Sequence, residues 1–288
     1  MTDLIIGCGS NYTWDQLKYW VNSIRKTNFD GDVVIVGNNI DINTIKELEK
    51  NNVIVAPTLC NARNDAPHVG RFLMIWEYLH SCEKTYRYVI TTDTKDVIFQ
   101  ANPSIDVKHF YDRSFIFSSE GMKYKHEPWG HNNISQAFGN PVYSVLYDKT
   151  IYNVGVIAGL HKSVQDLCLM IYELSQRRPI SIVDQAVFNF IIQQEPYRRS
   201  SWYSTNDDSW SVQLGTTVDA VKAGAGDLGA WVSKSPSLLI NYQLTYDDAQ
   251  PIIDNDVVRN KEGQIITIVH QYDRIPALKE KIYKKYGD

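Results

Sequence analysis

Tyr88-Val89-Ile90-Thr91-Thr92-Asp93-Thr94-Lys95-Asp96-Val97-Ile98-Phe99-Gln100 reads as a strand that leaves a core, delivers two carboxylates, and starts a second apolar run. The residues before it set its context. Leu4-Ile5-Ile6-Gly7 is a short apolar run, and Trp14, Leu17, Val21 and Ile24 then recur at helical spacing behind Thr13, a natural N-cap. After an Asp30-Gly31 turn, Val33-Val34-Ile35-Val36 is β-branched throughout and stops at Gly37-Asn38-Asn39. Ile42, Ile45 and Leu48 predict a second helix, Val53-Ile54-Val55 a third strand, and Phe72, Ile75, Trp76 and Leu79 a third helix. Strand runs that are apolar at every position need cover on both faces. The expectation is therefore an α/β fold with a mainly parallel central sheet flanked by helices, Rossmann-like in its winding.

Downstream the periodicity is weaker. Ser114 to Ser118 predicts a strand, and Glu120 to Tyr147 is polar and aromatic, too long for a simple connector. Ser163 is placed to cap a helix carrying Val164, Leu167, Cys168, Ile171 and Leu174, and Ile182 to Ile192 predicts another. Trp202 to Asp256 reads as long loops around a site, Ile265 to Val269 as a late strand, and Lys279 to Tyr286 as a basic terminal helix. With no repeat or linker, one domain is expected: a half over about 1–105 and a second over about 106–288.

Composition removes several functions. The 29 Lys+Arg against 33 Asp+Glu leave a net charge of −4, which argues against a nucleic-acid surface. No apolar run approaches a membrane span and the start has no leader pattern, so a cytoplasmic protein without a transmembrane segment is expected. Cys8, Cys60, Cys82 and Cys168 form no close pair and predict reduced thiols. Aromatic residues, at 12% with 18 tyrosines, include several outside any helical pattern: Tyr12, Tyr124, Trp129, Trp202, Tyr203 and Tyr272.

Ligands of open α/β sheets bind beyond the carboxyl ends of strands, where Asp93 and Asp96 lie. Two carboxylates on one turn suit a hard divalent cation such as Mg²⁺ or Mn²⁺ bridging a diphosphate; caps of the turn are the plainer alternative. His270 ends the late strand and is a candidate third ligand, imidazole favouring Mn²⁺. Asn153 and Gly155 in Tyr152-Asn153-Val154-Gly155 would offer a sugar-hydroxyl donor and an approachable backbone. Asp184 and Gln185 open a helix, as a reacting pair or as a cap.

In this order the patches resemble the GT-A class of nucleotide-sugar-dependent glycosyltransferases, of the glycogenin and bacterial galactosyltransferase type. The His270-Gln271-Tyr272-Asp273-Arg274 ending looks like smaller bacterial, algal and viral relatives. The resemblance spans residues 4 to 276 in architecture, with identity confined to the short patches. It implies a GT-A fold, with residues 1–105 binding nucleotide and 106–288 binding acceptor. It implies a nucleoside-diphosphate sugar donor, UDP by family habit, and a glycan or other hydroxyl acceptor. By the resemblance Asp93, Asp96 and His270 hold the metal, and Asp93 also reaches the ribose. Gly7, Cys8, Gly9 and Tyr12 form the base-binding loop, with Tyr12 stacking, and Arg71 reaches the donor. The pair here is Asp-x-x-Asp where the family has Asp-x-Asp. Asp184 and Gln185 fall near the anomeric carbon. Retention of configuration is favoured, and inversion would need Asp184 or Glu120 as base. Trp129, Tyr124, His131 and Asn133, within Glu120 to Asn133, are acceptor candidates, with Trp202 to Trp210 a second segment. Two other readings remain: a sugar nucleotidyltransferase, disfavoured because residues 7–14 carry no basic side chain, and a non-catalytic carbohydrate- or nucleotide-binding protein.

Overall fold

A computed structural model describes residues 1–58, 66–106, 113–217 and 246–287. Its first strands and helices alternate as the apolar periodicity requires: β1 (Leu4–Cys8), α1 (Trp14–Lys26), β2 (Asp32–Gly37), α2 (Ile42–Lys50), β3 (Val53–Pro57), α3 (Pro67–Ser81) and β4 (Tyr88–Thr92). There follow β5 (Val97–Phe99), α4 (Pro103–Asp106), β6 (Phe115–Lys123), α5 (Pro128–Phe138), α6 (Asn140–Leu146), β7 (Thr150–Leu160) and α7 (His161–Ser175). The chain closes through α8 (Asp184–Ile192), α9 (Tyr197–Ser200), β8 (Ser201–Ser204), β9 (Ser211–Gln213), α10 (Leu214–Thr217), β10 (Ile252–Asp254), β11 (Val257–Arg259), β12 (Ile268–His270) and α11 (Pro276–Tyr286).

Seven strands form the central sheet in the order β3-β2-β1-β4-β7-β6-β8. Every pairing is parallel except the two made by β7, which runs against both β4 and β6. The fold is thus α/β with a large, mostly parallel sheet flanked by helices, compatible with Rossmann-like winding. Successive side chains point to opposite faces, and β1 divides accordingly. Leu4 and Ile6 join a core with Phe72, Ile75, Leu167, Ile171 and Phe188, while Ile5 packs with Leu17, Trp20 and Val21 of α1.

A small sheet, β5-β12-β9, sits beside the carboxyl end of β4. It positions the site, because it sets Val97 opposite His270 and His270 opposite Gln213. A third core cluster under it joins Ile98, Val212 and Val269 to Tyr272, Leu278 and Ile282.

Some expectations are corrected and others stand. Ser163 does not cap α7, which starts at His161 behind Leu160. The Glu120–Tyr147 stretch is β6, a 3-10 turn and two helices, because Glu127 caps α5 by accepting from the Trp129 and Gly130 N–H groups. Within Trp202 to Asp256 the described residues form β8, β9, α10 and β10, while residues 218–245 lie outside the described residues. Cys8, Cys82 and Cys168 are free thiols; Cys60 lies outside the described residues. No helix of the described residues is long and apolar enough to cross a membrane.

Candidate metal centre and cleft

β4 ends at Thr92, and the next four residues turn the chain sharply into β5. Three bonds hold that turn. The Asp93 N–H donates to the Gly155 carbonyl at 2.8 Å, the Thr94 hydroxyl to the Cys8 carbonyl at 2.8 Å, and the Gln271 N–H to the Asp96 carbonyl at 2.7 Å. Both carboxylates therefore leave the turn toward β12. There His270 Nε2 lies 3.4 Å from Asp93 Oδ2 and 3.5 Å from Asp96 Oδ1. One ligand atom from each of the three falls within 4.8 Å of the others, a group able to hold a metal ion.

The donor set fits such an ion. Two carboxylates and one imidazole suit Mn²⁺ or Mg²⁺ better than a soft metal. Burial pushes the Asp96 carboxyl up, but the neighbouring His270 ring and the Arg274 guanidinium outweigh it and hold Asp96 below its ordinary value. An anion held ionised in a nearly buried place is what a cation requires. His270 is oriented from behind by Gln213, whose Oε1 lies 2.6 Å from Nδ1. An Nδ1–H donated to that carbonyl leaves Nε2 with its lone pair toward the two aspartates.

Gly155 lines the cleft, where its backbone can be approached, and it has a second use. A Cβ there would collide with the His270 ring and press on Asn153 Oδ1 and Asp93 Oδ2, so its missing side chain makes room for the metal group. Asn153 is also committed. Its Nδ2 donates to Glu120 Oε1 at 2.7 Å and its Oδ1 accepts from the Gly155 N–H at 2.7 Å, so it braces the floor.

The three residues open into a cleft of about 380 Å³ that also takes in Cys8, Tyr12, Arg71, Asp184 and Gln185. Arg71, from α3, bridges Asp93 and Asp184, the latter with Nη2 to Oδ2 at 3.0 Å. Gly7 and Gly9 do not line the cleft: a Cβ on the first would meet Thr94 and on the second Ile35, so both serve packing between β1 and its neighbours.

Glu120 is not a cleft residue either. It is 2% exposed beneath Asn153 and Gln185, accepting from Gln185 Nε2 at 3.0 Å. Burial raises its carboxyl, against the lowering effect of those two amides. Burial, with the nearby Glu120 charge, pushes Glu127 up to about 8 despite its bonds to the helix N-terminus.

The acceptor candidates separate. Trp129 lines the cleft, but Tyr124 is buried in the core and the Asn133 amide donates to the Ile182 carbonyl at 2.6 Å. His131 stacks on Tyr143 at 3.8 Å. Trp210 and Tyr272 are core residues, the Tyr203 hydroxyl donates to the Ile192 carbonyl at 2.7 Å, and Trp202 is absent from the cleft wall. Sequence reasoning missed Gln213, Arg274 and Asp273, and only the polar–apolar alternation of Ser211-Val212-Gln213 hinted at the first. No protein-family profile matches the chain, and no curated protein matches it in sequence.

Proposed function

We propose that this chain is a metal-dependent glycosyltransferase of the GT-A type. It would move a sugar from a nucleoside-diphosphate sugar, by family habit a UDP-sugar, to a hydroxyl of a glycan or similar acceptor. The observation that carries this reading is the convergence of Asp93, Asp96 and His270 at the carboxyl end of a central strand, inside the cleft that holds Tyr12 and Arg71. Neither turn-capping aspartates nor a plain sugar-binding module would need a histidine from 174 residues on (270 minus 96) to meet them.

A bound Mn²⁺ would supply Lewis-acid neutralisation of the departing diphosphate. The chain's own residues do the rest. Asp93, Asp96 and His270 hold the ion, and Tyr12 offers a ring to the base. Arg71 presents a guanidinium between Asp93 and Asp184, where it can also meet phosphate oxygens. Overall the bond from anomeric carbon to diphosphate oxygen breaks, a bond to the acceptor oxygen forms, and the hydroxyl proton leaves with the diphosphate. Beyond the metal group, the cleft carboxylates among the described residues are Asp184, paired with Arg71, and Asp273, 2.7 Å from Arg274. With Glu120 beneath the floor, that supports retention over a carboxylate-base inversion. Screening nucleotide sugars for Mn²⁺-dependent hydrolysis tests the proposal. Release of UDP from at least one donor is expected, and inertness toward every donor with metal present would count against it.

A further inference from the structure

α5 leads out of the cleft, and one of its faces continues it. Trp129 and Ile182 stand on the rim of the cleft and also open a second depression of about 380 Å³. Its other walls are Asn132, Asn133 and Gln136 of α5, and Pro179, Ile180 and Ser181 ahead of α8. Trp129, Asn132, Asn133 and Gln136 follow helical spacing, so they stack along a single face of α5.

Charge divides the two compartments. The cleft carries Arg71, Asp93, Asp96, Asp184, Asp273 and Arg274, whereas no ionisable side chain is among the described residues that line the depression. It offers an indole, three carboxamides and a serine hydroxyl instead. Carboxamides carry a donor and an acceptor side by side, as vicinal hydroxyls do, and an indole face takes the C–H face of a pyranose. A phosphate or carboxylate would find no counter-charge there.

The walls are tied together. Asn133 Nδ2 donates to the Ile182 carbonyl at 2.6 Å, and Glu127 Oε1 accepts from the Trp129 N–H at 3.0 Å. Asn132 and Gln136 are exposed, and Gln136 Nε2 donates to Asn132 Oδ1 at 3.0 Å. That bond leaves the second N–H of Gln136, its carbonyl, and both N–H groups of Asn132 available at the groove.

We propose that this depression seats the outer residues of a neutral oligosaccharide acceptor whose terminal sugar lies at Trp129, beside Asp184. The proposal rests on the transferase reading and adds to it an acceptor class: an uncharged glycan longer than one sugar. The test applies the chain with Mn²⁺ and UDP to an array of short neutral, sulfated and sialylated oligosaccharides. Calorimetry then compares the best binder on wild type and on Asn132→Ala/Gln136→Ala, with thermal unfolding as the check on folding. Retention of neutral glycans is expected, with affinity at least about tenfold lower in the variant from the lost hydrogen bonds. In the wild type the same titration should shift the Trp129 indole N–H resonance.

Preference for acidic glycans, equal affinity in the variant, or an unmoved indole would overturn the assignment. So would the absence of glycan binding in protein that does bind Mn²⁺ and UDP, which leaves the transferase reading standing. Neutral glycans held at this groove by protein indifferent to Mn²⁺ and UDP would support the groove and sink the transferase reading.

Discussion

Gln213 explains why a histidine at the end of a short strand can serve as a ligand. It is fully buried, in register with His270, and bonds Nδ1 at 2.6 Å. Gln213→Leu keeps the volume and removes the bond, so metal affinity should fall by about 10- to 100-fold, read by Mn²⁺ titration. Asp96→Ala is the harsher change. It should abolish metal-dependent nucleotide binding while circular dichroism and the unfolding transition remain those of a folded protein. Retained metal affinity in Asp96→Ala would mean that the ion sits elsewhere. Asp93 and Asp96 could be read in sequence because they share a turn at a strand end. Gln213 could not, because it is 57 residues from its partner and no local pattern marks the pairing.

At the scale of elements, β7 and α5 behave differently from β1 to β4. The early strands were legible because burial on both faces forces unbroken apolar runs. α5 was not, since Pro128-Trp129-Gly130-His131-Asn132-Asn133 has no apolar stripe and its start is fixed by the buried cap Glu127. That cap has a pH signature. Its folded value of about 8 lies above the ordinary 4.5, so the folded state holds a proton that the unfolded state has lost in between. Stability from this group is complete below about 4.5 and is lost as pH rises toward 8. Glu127→Gln should flatten the decline in unfolding free energy over that window by a few kcal/mol, measured in urea at several pH values. An unchanged slope would place Glu127 outside the pH response. Gly155 gives the matching test on β7. Gly155→Ala should cost about 1–3 kcal/mol by overpacking and displace His270, so metal binding and stability should fall together.

Across the whole molecule the cleft and the stabilising ties lie at opposite ends of the parallel strands. Asp3, at the amino end of β1, is buried and accepts from Arg87 Nε at 2.8 Å and from the Ser104 hydroxyl at 2.5 Å. Arg87→Ala strands that carboxylate and should cost about 3 kcal/mol with metal affinity unchanged, because nothing in the tie touches the cleft. The layering of helices on a mostly parallel sheet was legible in the sequence. The reversal of β7 was not, because an apolar run carries no direction. The central claim joins the Asp93, Asp96 and His270 group to nucleotide diphosphates. Thermal unfolding with UDP and GDP, each with and without Mn²⁺, tests it most directly. A diphosphate should raise the midpoint when Mn²⁺ is present and lose that effect on chelation. Indifference to both nucleotides, or stabilisation equal with and without metal, would contradict it.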